Sequence, residues 1–306
     1  MEEGGKAGEI RMGIRPFRTD DAPALAVLAA SCARTETDFV LNPLWGSAEE
    51  VIGDFARQGI DPSEHLLVAD DESGAPLGVA GFLRRPSSAL AGLICPVVTR
   101  RERGHGLGGE LLRAALAWGG EHLGLELVTA GIGARNHAGY ALLAGAGFRP
   151  VRQHVLMRCD ERPKPAPPPI GGLAFESARP ADANAIHEIY QSCGFETRSP
   201  DSTRAFLDGL RHAHAVARQA GSVVAFVELE THWPRRPWVA YVGVLPQLRD
   251  RGVGSGLVGW ALAREFDAGA SAALLMLSPA NRTALRAYEK VGFRRFRMVD
   301  VLEKRL

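Results

Sequence analysis

Stretches with the two-residue period of strands alternate with stretches of helical period along the chain, and the same order occurs twice. In the first half, IRPFRTDDAPALAVLAA predicts a short strand and an Asp-headed helix, and HLLVADDESGAPLGVAGFLRR predicts a hairpin. In the second half, FESARPADANAIHEIY and HAVARQAGSVVAFVELE repeat that order. The pattern predicts an internal repeat of one mixed α/β unit.

Each copy continues with a strand, a glycine-rich turn and an apolar-periodic helix, in VVTRRERGHGLGGELLRAALAW and in LPQLRDRGVGSGLVGWALA. The letters of the two segments align Arg101 with Arg249, Gly104 with Gly252, and Gly106 with Gly254. A last helix follows an asparagine in each copy, Asn136 or Asn281, and ends at Gly-Phe. The chain therefore predicts the same sequence of elements twice.

A proline-rich segment, RPKPAPPP, separates the two copies. It favours an extended spacer because proline fixes φ and lacks an N–H group. We therefore predict a flexible tail, an N-terminal domain, a proline-rich linker and a C-terminal domain. Their bounds are 1–12, 13–160, 161–171 and 172–306.

Composition and charge exclude several classes of function for this chain of 306 residues. The 36 Lys and Arg residues balance 35 Asp and Glu residues, and a net charge of +1 lacks the basic field that sequence-independent nucleic-acid binding requires. No apolar run reaches the roughly 20 residues that span a bilayer, and the N-terminus lacks a signal-peptide pattern. We expect a cytoplasmic protein without nucleic-acid or membrane partners. The four cysteines match no metal-ligand spacing, so no metal is expected.

The two glycine-rich turns are candidate phosphate sites. Glycine lets the backbone approach an anion, and the helix that follows presents unpaired N–H groups and the positive end of its dipole. Charge-assisted donors for a polyphosphate are present at Arg101, Arg103, Arg249 and Arg251. The alternative is a plain tight turn with solvated arginines.

Two motifs carry a resemblance to a known family. One stands as Arg101-Glu-Arg-Gly104-His-Gly106 and as Arg249-Asp-Arg-Gly252-Val-Gly254, and the other comprises Asn281, Tyr288, Gly292 and Phe293. They resemble the Q/R-x-x-G-x-G/A signature and the later Asn, Tyr and Gly-Phe of the GNAT superfamily of N-acetyltransferases. The resemblance covers 13–160 and 172–306, and the tandem form is similar to that of two-domain members of the family.

This resemblance implies an α/β (α+β) fold of two tandem GNAT-like domains, each a twisted, mixed, mostly antiparallel sheet flanked by helices. A bulge in the fourth strand would split each sheet, with the cosubstrate acetyl-CoA in the split. The expected contacts in the second copy are Val242, Val244, Arg249, Asp250, Arg251, Gly252, Val253, Gly254, Ser255, Gly256 and Asn281. Those in the first copy are Arg101, Arg103, Gly104, His105, Gly106 and Gly108.

Acetyl transfer to an amine needs a neutral amine and a proton for the leaving thiolate. The resemblance places the general acid at Tyr288, which by its position on an apolar stripe alone would be a core tyrosine. The candidate base is Glu228, which shares a face of the strand FVELE with Glu230, and both would otherwise be solvated carboxylates on a half-exposed strand. Proton removal through ordered waters is the alternative. Asn281 by itself is also typical of a helix cap.

The first copy departs from the family pattern at two positions. Leu143 stands where Tyr288 stands, and it has no proton to donate. Pro96 is aligned with Val244 and cannot donate a backbone hydrogen bond. We therefore expect a degenerate N-terminal domain, able to hold acetyl-CoA without turnover, and a catalytic C-terminal domain.

The predicted function is direct transfer of an acetyl group from acetyl-CoA to a primary amine of a small molecule or peptide, by a monomer or homodimer. The alternative is a non-catalytic protein that binds or senses acyl-CoA. Turnover by the purified protein separates the two hypotheses.

Overall fold

The structure, a computed structural model, describes residues 13–164, 168–195, 199–207, 212–231 and 235–306. The predicted tail 1–12 and residues 165–167 of the predicted linker lie outside the described residues. The chain forms two compact units, which are described separately. The first comprises the residues up to Gln153 together with Met298–Leu306, and the second comprises His154–Arg297.

The first unit combines seven strand segments with five helices among the residues that the structure describes. The strands are β1 (Gly13–Pro16), β2 (Leu66–Asp70), β3 (Pro76–Leu83), β4 (Leu90–Val98), β5 (Leu127–Gly133), the beginning of β6 (Arg149–Cys159) and the end of β12 (Arg294–Arg305). The helices are α1 (Ala22–Cys32), α2 (Ala48–Gln58), α3 (Pro62–His65), α4 (Leu107–Glu121) and α5 (His137–Gly145).

The second unit repeats this order. Its strands are the end of β6, then β7 (Leu173–Ser177), β8 (His212–Gln219), β9 (Ser222–Glu230), β10 (Trp238–Val244), β11 (Ala273–Leu277) and the beginning of β12 (Arg294–Arg305). Its helices are α6 (Ala183–Ser192), α7 (Pro200–Leu207), α8 (Val253–Asp267) and α9 (Arg282–Val291).

Each unit has a mixed sheet in which most neighbouring strands are antiparallel. Strands β1 to β4 of the first unit, and β7 to β10 of the second, pair in sequence as antiparallel neighbours. The fourth strand of each set, β4 or β10, then pairs in parallel with the fifth, β5 or β11. Helices contact the sheet in both units, as α4 does on β3 and α8 on β9. The predicted fold class of two mixed, mostly antiparallel sheets flanked by helices is confirmed.

The parallel pairing is short in both units. β4 pairs with β5 only from Leu90 to Gly92, and β10 pairs with β11 at Trp238. The register of β4 and of β10 against the preceding strand also shifts, next to Gly81 in the first unit and between Val239 and Tyr241 in the second. The fourth strand of each unit thus separates from the fifth next to a bulge, as the resemblance implies.

The last strand of the first sheet comes from the end of the chain. β12 pairs with β5 from Val299 opposite Gly133 to Arg305 opposite Leu127. β6 pairs with β11 over Val155–Cys159 and so belongs to the second unit there. The compact units therefore differ from the predicted domains 13–160 and 172–306 in the assignment of these two strands, while the linker 161–171 stays a prediction.

An ion-pair cluster with exchanged charges occurs at the start of each unit. In the first unit Arg15 donates to Asp21 at 2.8 Å and to Asp70 at 2.6 Å. In the second unit Arg218 bonds both Asp182, at 3.0 Å, and Glu176. The arginine lies on β1, the first strand, in the first unit and on β8, the strand after β7, in the second unit. Both clusters hold an aspartate that also accepts the N–H of Arg18 or Arg179, which fixes the entry to the first helix.

Burial by itself raises the pKa of Asp21, but hydrogen bonds from the Arg15 side chain and the Arg18 N–H outweigh it and hold the pKa below its usual value. A carboxyl group with a lowered pKa in the folded state stabilises the fold at neutral pH and loses that contribution as the pH falls through the lowered value. Asp21 therefore contributes to the loss of stability in acid.

Leu302 tests the assignment of β12 to the first unit. Its side chain is fully buried within the first unit's apolar core, although it lies four residues from the chain end. Leu302→Ala should lower the free energy of unfolding of the first unit by about 2–5 kcal/mol. In hydrogen–deuterium exchange, protection should fall in β3 and β4 and persist in β8 and β9. Arg305→Ala on the same strand is the control, and loss of protection confined to β8 and β9 would contradict the assignment.

Candidate functional site

The turn after the fourth strand has the same backbone path in both units. A short 3-10 turn, Arg100–Glu102 or Pro246–Leu248, leads to a left-handed glycine that precedes the helix. Gly106 has a φ of 93° before α4, and Gly252 has a φ of 79° before α8. A residue with a Cβ is strained at such a φ, so glycine is required at both positions.

The helix starts correct the predicted alignment of the two turns. Gly106 corresponds to Gly252, because each immediately precedes the first helical residue. Two residues earlier, Gly104 and Asp250 both have positive φ, at 80° and 60°. The prediction that Arg101 matches Arg249 was therefore wrong by two residues, and Arg103 is the true equivalent. The repeated arginines and glycines of RRERGHGLGG permit two alignments of the letters, and only the backbone selects one.

Arg103 and Arg249 fasten the end of the fourth strand to the first helix of their unit. Nε of Arg249 donates to the Val244 carbonyl at 3.0 Å, and Nη2 donates to the Ser192 carbonyl at 3.0 Å. Arg103 makes the same two bonds, to Val98 at 3.4 Å and to Cys32 at 2.9 Å. These guanidinium groups therefore bind main-chain carbonyls and shape the turn.

The remaining polar side chains of the turns face solvent. Arg101 is exposed and lies 3.5 Å from Asp71, and His105 and Arg251 are exposed as well. A Cβ on Gly104 or Gly106 would meet no atom within 4 Å, so the first turn borders open space. The turns thus offer backbone N–H donors and exposed basic side chains on one surface.

The first helical N–H groups of α4 and α8 are the donors of these turns. The Gly106 carbonyl accepts from Gly109 at 2.9 Å, and the Gly252 carbonyl accepts from Gly256 at 2.9 Å. Earlier amides precede the first intrahelical bond and have no helical acceptor. They belong to Leu107 and Gly108 in α4 and to Val253, Gly254 and Ser255 in α8. The Ser255 hydroxyl donates back to the Gly252 carbonyl at 3.1 Å.

The free edge of the fourth strand offers a second set of donors. Leu245 donates to the Val224 carbonyl at 3.0 Å, so by alternation the N–H groups of Val242 and Val244 point away from β9. In the first unit Thr99 donates to the Leu77 carbonyl at 2.8 Å, which makes Val98 the equivalent of Val244.

Pro96 therefore corresponds to Val242, and its predicted match with Val244 was wrong. The missing N–H group is therefore the one equivalent to that of Val242, two residues before Val98. The N–H group of Val98 itself, equivalent to that of Val244, is present. The first unit has lost one of the two edge donors and kept the other.

The first unit contains a cavity of about 620 Å³ at this split. Its walls are the separated end of β4, the beginning of α4, the helix α5 and the end of α1. Val98, Arg103, Gly106 and Gly108 line one side, while Asn136 and Leu143 line another. The predicted residues of the first copy other than Arg101 and His105 thus border one space.

Asn136 and Asn281 are helix caps in the structure. The Asn136 side chain accepts from the Gly139 N–H at 2.8 Å, and that of Asn281 accepts from the Ala284 N–H at 3.1 Å. Asn281 is exposed, whereas Asn136 is buried and also donates to the Phe39 carbonyl at 3.2 Å. The predicted contact of Asn281 with acetyl-CoA stays a prediction.

Tyr288 lies in α9, two turns after Asn281, and its ring packs edge-on against Phe293 at 5.8 Å between centroids. Burial raises the pKa of Tyr288 to about 12, so its hydroxyl is protonated at neutral pH. Leu143 occupies the equivalent place in α5 and is buried in the core. An O–H donor is therefore present at this position only in the second unit.

Glu228 is fully buried and so is not a solvated carboxylate. The Tyr190 hydroxyl donates to Oε2 of Glu228, and Nε2 of His214 lies 3.4 Å from the same oxygen. Glu228 lies four residues after Val224, and Gly81 lies four residues after Leu77, the residue equivalent to Val224. Gly81 is therefore the first unit's equivalent of Glu228. The carboxylate, like the phenol of Tyr288, has no counterpart in the first unit.

Tyr190 and His214 were not identified from the sequence. Tyr190 lies on the apolar stripe of AIHEIY, and His214 alternates with alanines in HAHAVAR, so each resembles an ordinary core residue. Both residues face Glu228, one from β8 and one from α6. Finding them requires the pairing of the strands, which decides which side chains lie on the same face of the sheet as Glu228.

Among the residues that the structure describes, no group of three or more His, Cys, Asp or Glu side chains is arranged to hold a metal ion. In the same part of the chain, every helix is too short or too polar to cross a membrane.

Two sheets that split beside a helix start, each with free backbone donors, define a class of acyl-transferring enzymes. The family models agree: the acetyltransferase (GNAT) family matches 183–293, and an acetyltransferase (GNAT) domain matches 11–149. The chain belongs to the GNAT acetyltransferase family, and it is an acetyltransferase with two GNAT domains.

Relatives and solved structures support the same assignment. The chain is 30% identical to a mycothiol acetyltransferase of Thermobispora bispora over 97% of this chain and 99% of that protein. It is 31% identical to one of Mycolicibacterium paratuberculosis, over 77% and 82% of the two chains. A GCN5-related N-acetyltransferase from Sphaerobacter thermophilus shares the fold with a TM-score of 0.78 and 24% identity, covering 96% of each chain.

A tandem GNAT protein from the clavulanic acid biosynthesis pathway also shares the fold, with a TM-score of 0.73 and 14% identity over 96% and 98% of the two chains. These matches confirm the family, the tandem organisation and the enzyme class predicted from the sequence. They also agree with the expectation of a two-domain architecture similar to that of mycothiol synthase.

Arg249 tests the structural role of the turn arginines. Arg249→Ala removes two hydrogen bonds to main-chain carbonyls and should lower the free energy of unfolding of the second unit by about 1 kcal/mol or more. Arg251→Ala, two residues away and exposed, should change it by less than about 0.5 kcal/mol. Urea denaturation of the two variants checks this, and equal stability would remove the role assigned to Arg249.

Proposed function

We propose that the protein transfers the acetyl group of acetyl-CoA to a primary amine of a small molecule or peptide, and that the second unit carries out the reaction. The observation that carries this proposal is that the second unit has a protonated phenol, Tyr288, and a buried carboxylate, Glu228, at two places where the first unit has neither group. The first unit has Leu143 and Gly81 at those places.

In this proposal acetyl-CoA lies along the free edge of β10 and across the start of α8. The N–H groups of Val242 and Val244 would pair with the amide-bearing arm, and the first amides of α8 would bind the diphosphate. Exposed Arg251 adds positive charge beside the turn, while Arg249 acts by holding its shape. Asp250 supplies the left-handed residue that Gly104 supplies in the first unit.

The reaction needs a proton to leave the amine and another to reach the sulfur. Glu228 would accept the first proton through an ordered water, because its side chain is buried. The neutral amine nitrogen then attacks the thioester carbon, and the carbon–sulfur bond breaks as Tyr288 gives its hydroxyl proton to the leaving thiolate. A phenol with a pKa of about 12 stays protonated until that step. The proton that the new amide nitrogen releases returns through water to the Tyr288 phenolate, and Glu228 gives its proton to water.

The named relatives favour a small acceptor over a peptide. Proteins named mycothiol acetyltransferase match 97% of this chain in one case and 77% in others. We therefore expect the acceptor to be a small molecule with a primary amine. The alternative of a purely acyl-CoA-sensing protein is less well supported, because it assigns no role to Tyr288 and Glu228.

We also propose that the first unit holds acetyl-CoA without turning it over. The glycine turn, the start of α4 with its free N–H groups and Val98 with its backbone N–H group all border the cavity of about 620 Å³ in this unit. Leu143 and Gly81 stand where the second unit has the proposed acid and the proposed base, so the first unit lacks both of those groups.

Replacing Tyr288 with phenylalanine tests the general acid. The change keeps the ring and its packing on Phe293 but removes the hydroxyl, so kcat should fall by roughly 10²-fold or more while acetyl-CoA affinity hardly changes. Release of free thiol from acetyl-CoA, measured with a panel of amino acids, amino sugars, aminoglycosides and short peptides, checks the rate. Tyr140→Phe in the first unit is the control. Near-normal turnover by the Tyr288 variant would mean that Tyr288 is a core tyrosine and not the general acid.

Equivalent glycines of the two turns test the inequality of the units. Gly254→Asp and Gly108→Asp each place a negative charge among the first amides of a helix, α8 or α4. We expect Gly254→Asp to abolish turnover, and Gly108→Asp to keep it while calorimetric stoichiometry falls from two acetyl-CoA to one. Circular dichroism confirms folding. Turnover that survives in the Gly254 variant and is lost in the Gly108 variant would mean that the active unit is the first.

A further inference from the structure

Glu228 lies in a row of polar side chains that crosses three strands of the second sheet. His214 on β8 and Tyr241 on β10 are its direct neighbours on either side in the strand pairing. Directly paired residues share a face of the sheet, so the three side chains are adjacent. Tyr190 reaches the row from α6 and completes it.

The surroundings of Glu228, His214 and Tyr190 in this row are apolar and closed, whereas Tyr241 is half-buried. The exposed fraction is 0% for Glu228 and 1% for Tyr190, and the His214 side chain is also 1% exposed. The Tyr190 ring packs on Phe226 at 4.5 Å and on Tyr241 at 5.2 Å. Side chains that complete this cluster are Ile186, Ile189 and Val216. A carboxylate in such a place needs hydrogen bonds to its charged form, and the Tyr190 hydroxyl provides one.

Other titratable groups among the described residues lie on the strands and on the helix α6 that border this row. Tyr241 lies opposite on β10, and Glu230 follows on the same face of β9. On α6, His187 contacts Gln191 at 3.1 Å, and at the helix entry Asp182 is bonded by Arg218. The Glu228 carboxylate is thus in contact with a phenol, that of Tyr190, and with an imidazole, that of His214.

We infer that Tyr190 and His214 are positioning residues that hold the Glu228 carboxylate and set its proton affinity for the acetyl transfer. This inference rests on the proposed role of Glu228 as base. The Tyr190 hydroxyl donates to Oε2, and the His214 imidazole lies beside the same oxygen, so both favour the ionised carboxylate. When Glu228 takes the amine proton, the same two groups stay in place around the neutral acid, which returns the proton to water after turnover.

The pH dependence of the rate distinguishes this role from simple packing. Tyr190→Phe keeps the ring but removes the donor, and His214→Gln removes the imidazole. Each change disfavours the charged carboxylate, so the acidic limb of the kcat/KM profile should move to higher pH by about one unit. His65→Gln, at a buried histidine of the first unit, is the matched control and should leave the limb in place. A limb that stays fixed in both test variants would overturn the inference.

A fluorine probe gives a readout that does not depend on turnover. With 3-fluorotyrosine at the four tyrosines, the ¹⁹F resonance of Tyr190 is assigned by its loss in Tyr190→Phe. We expect this resonance to titrate with the Glu228 carboxyl in the full-length protein and to stop titrating in Glu228→Gln. Because the fluorinated phenol is a stronger donor, the acidic limb of the rate should also move to lower pH. Titration that persists unchanged in Glu228→Gln would overturn the inference.

The two proposals fail separately. If Glu228→Gln keeps normal turnover, Glu228 is not the base, and the proposed function needs another proton acceptor whatever the fluorine signal shows. If Glu228→Gln loses turnover and the Tyr190 and His214 variants keep the normal pH profile, Glu228 keeps its role and the positioning pair is rejected.

Discussion

One backbone constraint underlies both halves of the protein: the chain must pass from a strand into a buried helix through a left-handed residue. Gly106 and Gly252 meet this constraint, and a side chain at either position would strain the turn. The amides that follow lack helical acceptors, and the strand before them has left its parallel neighbour. The geometry that starts the helix thereby leaves backbone N–H donors at the turn and along the free edge of the strand.

The duplicated units keep this frame and differ in what they attach to it. The ion-pair cluster at the first helix tolerates an exchange of charge, with Arg15 on the first strand of one unit and Arg218 on the second strand of the other. Such a cluster needs opposite charges at short distance and no particular strand. The proposed catalytic positions tolerate less exchange, because a leucine or a glycine cannot carry out the proton transfer that Tyr288 and Glu228 would provide.

The buried polar row of the second unit is costly to maintain. A carboxylate without partners in an apolar cluster would destabilise the unit by several kcal/mol, so Glu228 requires the groups that Tyr190 and His214 bring. The first unit avoids this cost with Gly81, where an added Cβ would lie 2.1 Å from the His65 carbonyl. The same place in the sheet is closed to any side chain in one unit and occupied by an ionisable one in the other.

The sequence by itself determined the repeat, the order of elements, the glycine turns, and the family, because periodicity, glycine and short motifs are local properties of the chain. Tyr288, Glu228 and Asn281 could also be singled out from it, by motif and by strand pattern. Only the tertiary structure decided the register of the first turn, where the letters allow Arg101 or Arg103 and the helix start selects Arg103. It alone decided that Glu228 is buried between Tyr190 and His214, and that the last residues of the chain complete the first sheet. Strand pairing brings together residues that are distant in sequence, and no local pattern encodes which of them meet.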